Sequence, residues 1–284
     1  MQPLKTIFVT GATGTQGGAV VRELLKNGFA VKALVRNPAS PAVQILNEQH
    51  AEIIHGDLNN TKSYIDKIKD ADGIFSVQTF IHGTGREIKQ GTDLADMAKM
   101  LGIKYFIYSS TIGSNLHTGI PQWESKFVIE NHIKNIELPY CIIRPASFYE
   151  NFLIPEVKKR ILKGKLASPV NRDIIQPLIS ARDIGKISRI IFQNPDKYLG
   201  KTISLVAAKM DMDQIAAVFS EKLGKEIRYQ KLPMFITRLV MGKDLYKMFS
   251  WVNKNKEVIL EEIKSKTEEI TDLLDLPEWI KLKF

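Results

Sequence analysis

The sequence predicts an α/β fold, a doubly wound parallel sheet with a smaller, helix-rich C-terminal domain, and three observations carry that reading. From residue 5 to about residue 145, short β-branched runs alternate with amphipathic stretches, as βαβ units require. A glycine-rich turn joins the first such run to the first amphipathic stretch. The 284 residues also exceed one typical domain of about 150 and suggest two.

The elements follow in order. Strands are expected at Thr6 to Val9, Val31 to Val35, Glu52 to His55, Gly73 to Val77, Tyr105 to Tyr108 and Tyr140 to Ile143. Each is short and rich in β-branched or aromatic residues, which suits strands covered on both faces. Between the first two, Val20, Val21, Leu24 and Leu25 share one helical face, and Asn27-Gly28 supplies a stop. After Arg144-Pro145 the alternation breaks. A basic segment, Val157 to Lys165, precedes a strand-like run, Pro177 to Ser180, then a helix Ala181 to Gln193 and a strand Thr202 to Leu205. A helix-rich end runs from about Asp211 to Phe284. The expected division is a first domain of residues 1–150, to which the chain returns at about 174–206, and a smaller C-terminal lobe of residues 151–173 and 207–284.

An apolar share of 44% with a charged share of 25% belongs to a globular chain and excludes disorder, and 18 Gly exclude a collagen-like repeat. The net charge of +9 favours anionic ligands, whether phosphates, nucleic acid or acidic lipid. Cys141 is the only cysteine, which excludes an internal disulfide or a cysteine-rich metal site and fits a cytoplasmic home. No stretch reaches the ~18 uninterrupted apolar residues of a membrane span, so no membrane insertion, signal peptide or anchor is expected. The five histidines show no paired ligand spacing, so no metal site is expected either.

The segment Val9-Thr10-Gly11-Ala12-Thr13-Gly14-Thr15-Gln16-Gly17-Gly18 is the most informative one. Glycines at 11, 14 and 17 permit a tight turn, close backbone approach to a pyrophosphate, and close contact between helix and strand; free amides at the helix start attract an anion. Gly11, Thr13, Gly14, Thr15, Gln16 and Gly17 are thus candidate residues of a dinucleotide site in a Rossmann-type sheet. The spacing departs from the usual Gly-x-Gly-x-x-Gly, and a purely structural turn is the plainer alternative. The second strand ends Leu34-Val35-Arg36-Asn37-Pro38, where an NAD site usually carries Asp or Glu. A guanidinium there matches a 2′-phosphate in fork geometry, so NADP(H) is the expected cofactor; the bland alternative is a solvated strand-end arginine. Asp57 either accepts from an adenine amino group or caps the next helix.

Together, Thr10 to Gly18, Leu34 to Asn37, Gly56 to Leu58, Arg144-Pro145 with Phe148 to Phe152, and Asp183-Ile184-Gly185 resemble the NmrA-like family of atypical short-chain dehydrogenase/reductases. The resemblance covers nearly the whole chain. It implies a Rossmann domain holding NADP(H) and a small C-terminal domain bordering a cleft. It also implies one of two activities: a redox-sensing regulator with a protein partner, or an NADPH-dependent reductase of a quinone or similar small electrophile. Pro145 then belongs with the cofactor residues, and Phe148 and Asn151 with the substrate cleft.

Short-chain reductases carry Tyr-x-x-x-Lys on one helix, where the spacing puts both side chains on one face. Lysine holds the nicotinamide ribose and lowers the tyrosine pKa, and tyrosine gives up a proton as hydride arrives. The matching segment here is Gln122-Trp123-Glu124-Ser125-Lys126. Lys126 is retained as a candidate ribose-binding and catalytic residue, but Gln122 has no titratable proton near neutral pH. Ordinary alcohol dehydrogenation is therefore not expected. A quinone escapes the difficulty, because hydride addition leaves a stabilised phenolate that solvent protonates. Ser110, after the fifth strand, matches a substrate-orienting serine or is a capping hydroxyl. Tyr108 and Tyr149 either replace the missing acid or pack.

Two further segments carry competing readings. Lys158 to Lys165 is a solvated helix face or a nucleic-acid contact, and its lack of any base-reading motif disfavours the second. Met234 to Met241, followed by Leu245, Met248, Phe249 and Trp251, is expected to pack as core, with a substrate lid or partner groove as the alternative.

Overall fold

A computed structural model describes residues 5–258 and 272–284. The chain forms two compact units, one of Met1–Asn115, Gln122–Arg144 and Ala181–Ile203, the other of Leu116–Pro121, Pro145–Ser180 and Ser204–Phe284.

In chain order the first unit supplies β1 (Thr6–Val9), α1 (Thr15–Lys26), β2 (Ala30–Val35), α2 (Pro41–Glu48), β3 (Glu52–His55), α3 (Ile65–Ile68), β4 (Gly73–Ser76), α4 (Thr84–Met100), β5 (Tyr105–Ser109), α5 (Pro121–Asn135) and β6 (Tyr140–Pro145). The second unit then contributes β7 (Ser147–Phe148), α6 (Pro155–Leu162), β8 (Lys165–Ser168) and β9 (Gln176–Ile179), after which α7 (Ala181–Gln193), α8 (Pro195–Tyr198) and β10 (Thr202–Leu205) follow.

A seven-stranded parallel sheet has the order β10-β6-β5-β4-β1-β2-β3. The chain builds outward from β1 to β3, crosses to the other side of β1, and builds again through β4, β5 and β6. The reversal between β1 and β4 is the place where an open α/β sheet leaves a crevice at its carboxyl ends. Ile7, Phe8 and Val9 are fully buried, as expected of a central strand with helices on both faces. On one face Phe8, Leu34, Ile74, Leu94, Phe106, Ile129 and Ile142 form a continuous core, with the Tyr64 ring stacked 5.7 Å from Phe8. Elsewhere in the unit α1 lies so close to α7 that a Cβ on Gly185 would meet the Ala19 carbonyl oxygen at 2.6 Å.

In the second unit a three-stranded sheet joins β9 to β7 in parallel and to β11 (Ala208–Met210) in antiparallel fashion. A second pair couples β8 to β12 (Arg228–Lys231). Helix α9 (Met212–Leu223) begins with a reciprocal capping box between Asp211 and Gln214 and ends at Gly224 in the left-handed region, φ +63°. The C-terminal helix Leu276–Lys283 brings Trp279 against Tyr149 and Phe152, while Phe219 packs on Phe152 and Phe284 at 5.1 and 5.2 Å. The helix-rich end read from sequence also contains β12, and its residues 259–271 lie outside the described ones.

Helix α10 (Met234–Met241) departs from the core reading. Thr237 is its buried residue, while Phe235 is 72% and Leu239 86% exposed, and Val240 and Met241 are exposed as well. The basic segment is divided: Ile161 is fully buried, and Lys158 donates to the Lys283 carbonyl at 2.9 Å with its ammonium 4.7 Å from the Phe284 ring centre. Among the described residues no helix is long and apolar enough to cross a membrane.

Candidate functional site

The glycine turn sits at the reversal between β1 and β4. Thr10 fixes it there: its amide donates to the Phe75 carbonyl at 3.0 Å, and its hydroxyl accepts from the Val77 amide at 2.8 Å and donates to the Val77 carbonyl at 3.0 Å. Gly11 adopts φ +59°, a conformation costly for any residue with a Cβ. Gly17 is required for a different reason, since a Cβ there would lie 2.2 Å from the Gly11 carbonyl oxygen and 2.6 Å from that of Thr10. The amide of Gly14 closes the turn on the Gly11 carbonyl at 2.8 Å. Helix α1 starts at Gly14 with no side-chain cap and no acidic residue in its first turn, so its leading amides are left for an anion. Gln16 is tied to the sheet by the Ser109 hydroxyl, which donates to its Oε1 at 2.7 Å.

Beside the turn, Thr13, Val35, Arg36, Asn37 and Ser40 line a pocket of about 320 Å³. Among the described residues the Arg36 guanidinium makes no hydrogen bond or ion pair. Asn37 uses its Oδ1 to accept from the Ala39 amide at 3.1 Å, which shapes the loop and leaves Arg36 at its edge. Asp57 is engaged locally: its Oδ1 accepts from the amide and the side chain of Asn59 at 2.8 and 2.7 Å. That is a local Asx turn and not a helix cap, since the next helical turn, Thr61–Ser63, begins at Asn60 with no side-chain cap.

Near the carboxyl ends of β5 and β6, two carboxylates from flanking helices each close on a cation. Glu130 on α5 accepts from Arg144 Nε at 2.9 Å and Nη2 at 2.6 Å, and its Oε1 also receives the hydroxyls of Ser110 at 2.5 Å and Ser114 at 2.8 Å. Burial pushes the Glu130 carboxyl up, but the Arg144 guanidinium and the two serines outweigh it, and the net displacement is downward. Arg144 reaches Asn115 with its Nη1 at 2.6 Å. Ser110 is thus committed to a buried network.

Glu87 in the first turn of α4 is fully buried and faces α5. Its Oε1 takes the Lys126 ammonium at 3.0 Å and its Oε2 the Ser125 hydroxyl at 2.5 Å. The Lys126 nitrogen lies 6.0 Å from the centre of the Tyr108 ring. Burial, with Glu87 and Glu130 nearby, drives the Tyr108 hydroxyl well above its ordinary range. Tyr149 is buried against Trp279, in the packing role. Gln122, one turn before Lys126, is 4% exposed, and both atoms of its amide lack a hydrogen-bond partner among the described residues. Leaving such atoms unmatched costs about 1–3 kcal/mol each.

Pro145, Phe148 and Asn151 belong to the second unit, where Pro145 ends β6, Phe148 ends β7 and the Asn151 amide donates to Ser147 at 3.2 Å. The structure gathers Gly11, Gly14, Gln16 and Gly17 at one turn, with Thr13 and Arg36 beside it, and Gln122 and Lys126 on one turn of α5. Sequence reasoning missed Glu87, Glu130 and the locking role of Thr10. For Glu130 a clue was present: a carboxylate among the apolar positions Ile129 and Ile133, matched by an arginine ending an apolar strand. Among the described residues no cluster of His, Cys, Asp and Glu suits a metal ion.

A parallel sheet whose strand order reverses beside a glycine turn defines the Rossmann-like class. Within it, this chain belongs to the NmrA-like family, whose model matches residues 3–280. It is 33% identical over 258 residues to an NmrA-like family domain-containing protein of Dictyostelium discoideum, covering 84% of this chain and 83% of that one. It is 28% identical to the nitrogen metabolite repression protein nmrA of Emericella nidulans, covering 82% of this chain and 69% of the other. Among solved structures, an NADPH-dependent quinone oxidoreductase from Escherichia coli, complexed with NADPH, superposes with a TM-score of 0.80 over 97% of this chain and 99% of its own. At 21% identity that likeness is one of fold.

Proposed function

We propose that the protein binds NADP(H) and acts as a redox-sensing regulator, its cofactor state read by a protein partner. The observation that carries this reading is the pairing of an uncapped glycine turn, which only glycine can build at 17, with an unpartnered Arg36 beside it. The turn amides would hold the pyrophosphate and Arg36 the 2′-phosphate, whose charge a carboxylate at that position would repel. Lys126 would hold the nicotinamide ribose, and the unmatched amide of Gln122 supports a polar ligand group at that end.

When bound, the reduced cofactor supplies a hydride. The residues around it are poor sources of the matching proton: Gln122 has no titratable one, burial raises the Tyr108 hydroxyl above its ordinary range, and Lys126 is paired with Glu87. A ketone would therefore be left without its acid, which favours sensing over ordinary turnover. Sensing demands that oxidised and reduced forms, or bound and empty forms, differ in partner affinity. A second reading, reduction of a quinone or similar electrophile, is favoured by the same lack of an acid, because that acceptor needs none. Titration calorimetry with NADPH, NADP⁺ and NADH, followed by NADPH oxidation against a quinone panel, separates the two. Tight NADPH binding without turnover supports the sensor; rapid quinone-dependent oxidation overturns it in favour of the reductase.

A further inference from the structure

Helices α4 and α5 approach more closely than ordinary side chains allow. A Cβ on Gly91 would meet the Ile129 side chain at 2.7 Å, so glycine at 91 is what lets the two helices close. Glu87 lies one turn before Gly91, and Lys126 lies one turn before Ile129, so the same approach sets Glu87 against Lys126 and Ser125. The carboxylate occupies the first turn of α4, where the helix dipole favours negative charge.

Glu87 is fully buried and Lys126 nearly so, with 12% of its side chain exposed. Each Glu87 oxygen has one α5 partner, which fixes the carboxylate plane and with it the direction of the ammonium. A free lysine side chain has four rotatable bonds and would lose much of its rotamer freedom on binding a ribose; a lysine already anchored has lost it beforehand. Of the three ammonium N–H groups one is used by Glu87, leaving donors for ligand hydroxyls.

We propose that Glu87 is a positioning residue for the coenzyme's nicotinamide-side ribose: it preorganises Lys126 as a hydroxyl donor while cancelling its charge. The proposal rests on the coenzyme reading above. It also accounts for why the lysine is kept where the proton donor is lost, since a charge-neutral pair binds a sugar without lowering the pKa of any neighbouring acid.

The test is calorimetry with two ligands, NADPH and adenosine 2′,5′-bisphosphate, which carries the 2′-phosphate but lacks the nicotinamide half. Glu87→Gln should weaken NADPH about tenfold, and Lys126→Met about as much, while leaving the bisphosphate within about twofold of wild type. In the Glu87→Gln, Lys126→Met double variant the NADPH loss should not exceed that of Lys126→Met alone, because Glu87 acts only through Lys126. If Glu87→Gln does not fold, Ser125→Ala decides: it releases one carboxylate oxygen and should weaken NADPH alone, by about threefold. Wild-type NADPH affinity in Glu87→Gln or Ser125→Ala, additive losses in the double variant, or equal weakening of both ligands would overturn the positioning role. Wild type binding neither ligand overturns the coenzyme reading together with it, whereas wild type binding both locates a failure in Glu87 alone.

Discussion

Replacing Gly17 by alanine adds one methyl group where the backbone leaves no room. The new Cβ would stand 2.2 Å from the Gly11 carbonyl oxygen, 2.5 Å from the Gly11 carbonyl carbon and 2.6 Å from the Thr10 oxygen. Ordinary contact begins near 3.4 Å, so α1 must retreat from the turn by about an ångström. Nothing at the contact can rotate aside, since all three atoms are main chain. Helix α1 is also packed tightly on α7, where Gly185 lies against the Ala19 carbonyl. Overpacking of this kind costs about 3 kcal/mol or more, a large part of the roughly 5–15 kcal/mol that holds a typical domain. Gly28→Ala is the control: it has open space around the new carbon and only φ +81° to contend with, for a cost of about 1–2 kcal/mol. Urea denaturation should show the larger loss in Gly17→Ala, and calorimetry should show NADPH affinity lost there and kept in Gly28→Ala. A Gly17→Ala protein within about 0.5 kcal/mol of wild type, or one that still binds NADPH normally, would refute the steric account of the turn.

Arg36→Ala should weaken NADPH by about tenfold or more and leave NADH unchanged, measured by calorimetry at fixed salt, because NADPH alone carries the 2′-phosphate proposed to engage the unpaired guanidinium. Arg144→Met strands the Glu130 carboxylate in a buried site and should cost about 3–5 kcal/mol, visible as a lowered urea midpoint. Glu130 has a folded-state pKa below its unfolded value near 4.3, so its stabilisation is present above that pH and is lost as pH falls through the folded value. The Tm gap between wild type and Glu130→Gln should therefore shrink as the pH falls below the unfolded value; a constant gap would contradict the assignment. Leu239→Ser, at an 86% exposed position, should change stability by less than about 0.5 kcal/mol, and a loss like that of a core leucine would show the helix to be covered.

The main sheet was legible because its strands are self-announcing. Thr6–Val9, Glu52–His55 and Thr202–Leu205 match their sequence runs residue for residue, and so does the helix Ala181–Gln193. Strands of two to four residues such as Ser147–Phe148 and Arg228–Lys231 carry no alternation of their own; they exist because a partner strand lies beside them. Met234–Met241 misled in the opposite direction, since so apolar a run reads as buried, yet Phe235 and Leu239 are exposed. In the site, the glycine turn was readable from spacing and flanks alone. Glu87 was not: it lies 39 residues from Lys126, and only the Gly91–Ile129 approach brings the two together.

The cations around the site divide into two kinds, and the division bears on chemistry more than the net charge does. Lys126 on α5 and Arg144 near the end of β6 are each closed by a fully buried carboxylate, so a ligand meeting them meets dipoles and hydrogen-bond donors. Arg36 has no such counter-ion among the described residues, and so presents a full charge to whatever occupies the pocket beside Thr13. A doubly charged phosphate gains most at Arg36, and a neutral sugar or ring loses least near Lys126, because no charge there must be stripped of water to admit it. The polarity of the proposed coenzyme site, anion-seeking at one end and neutral at the other, thus follows from which basic residues the folded chain has already neutralised.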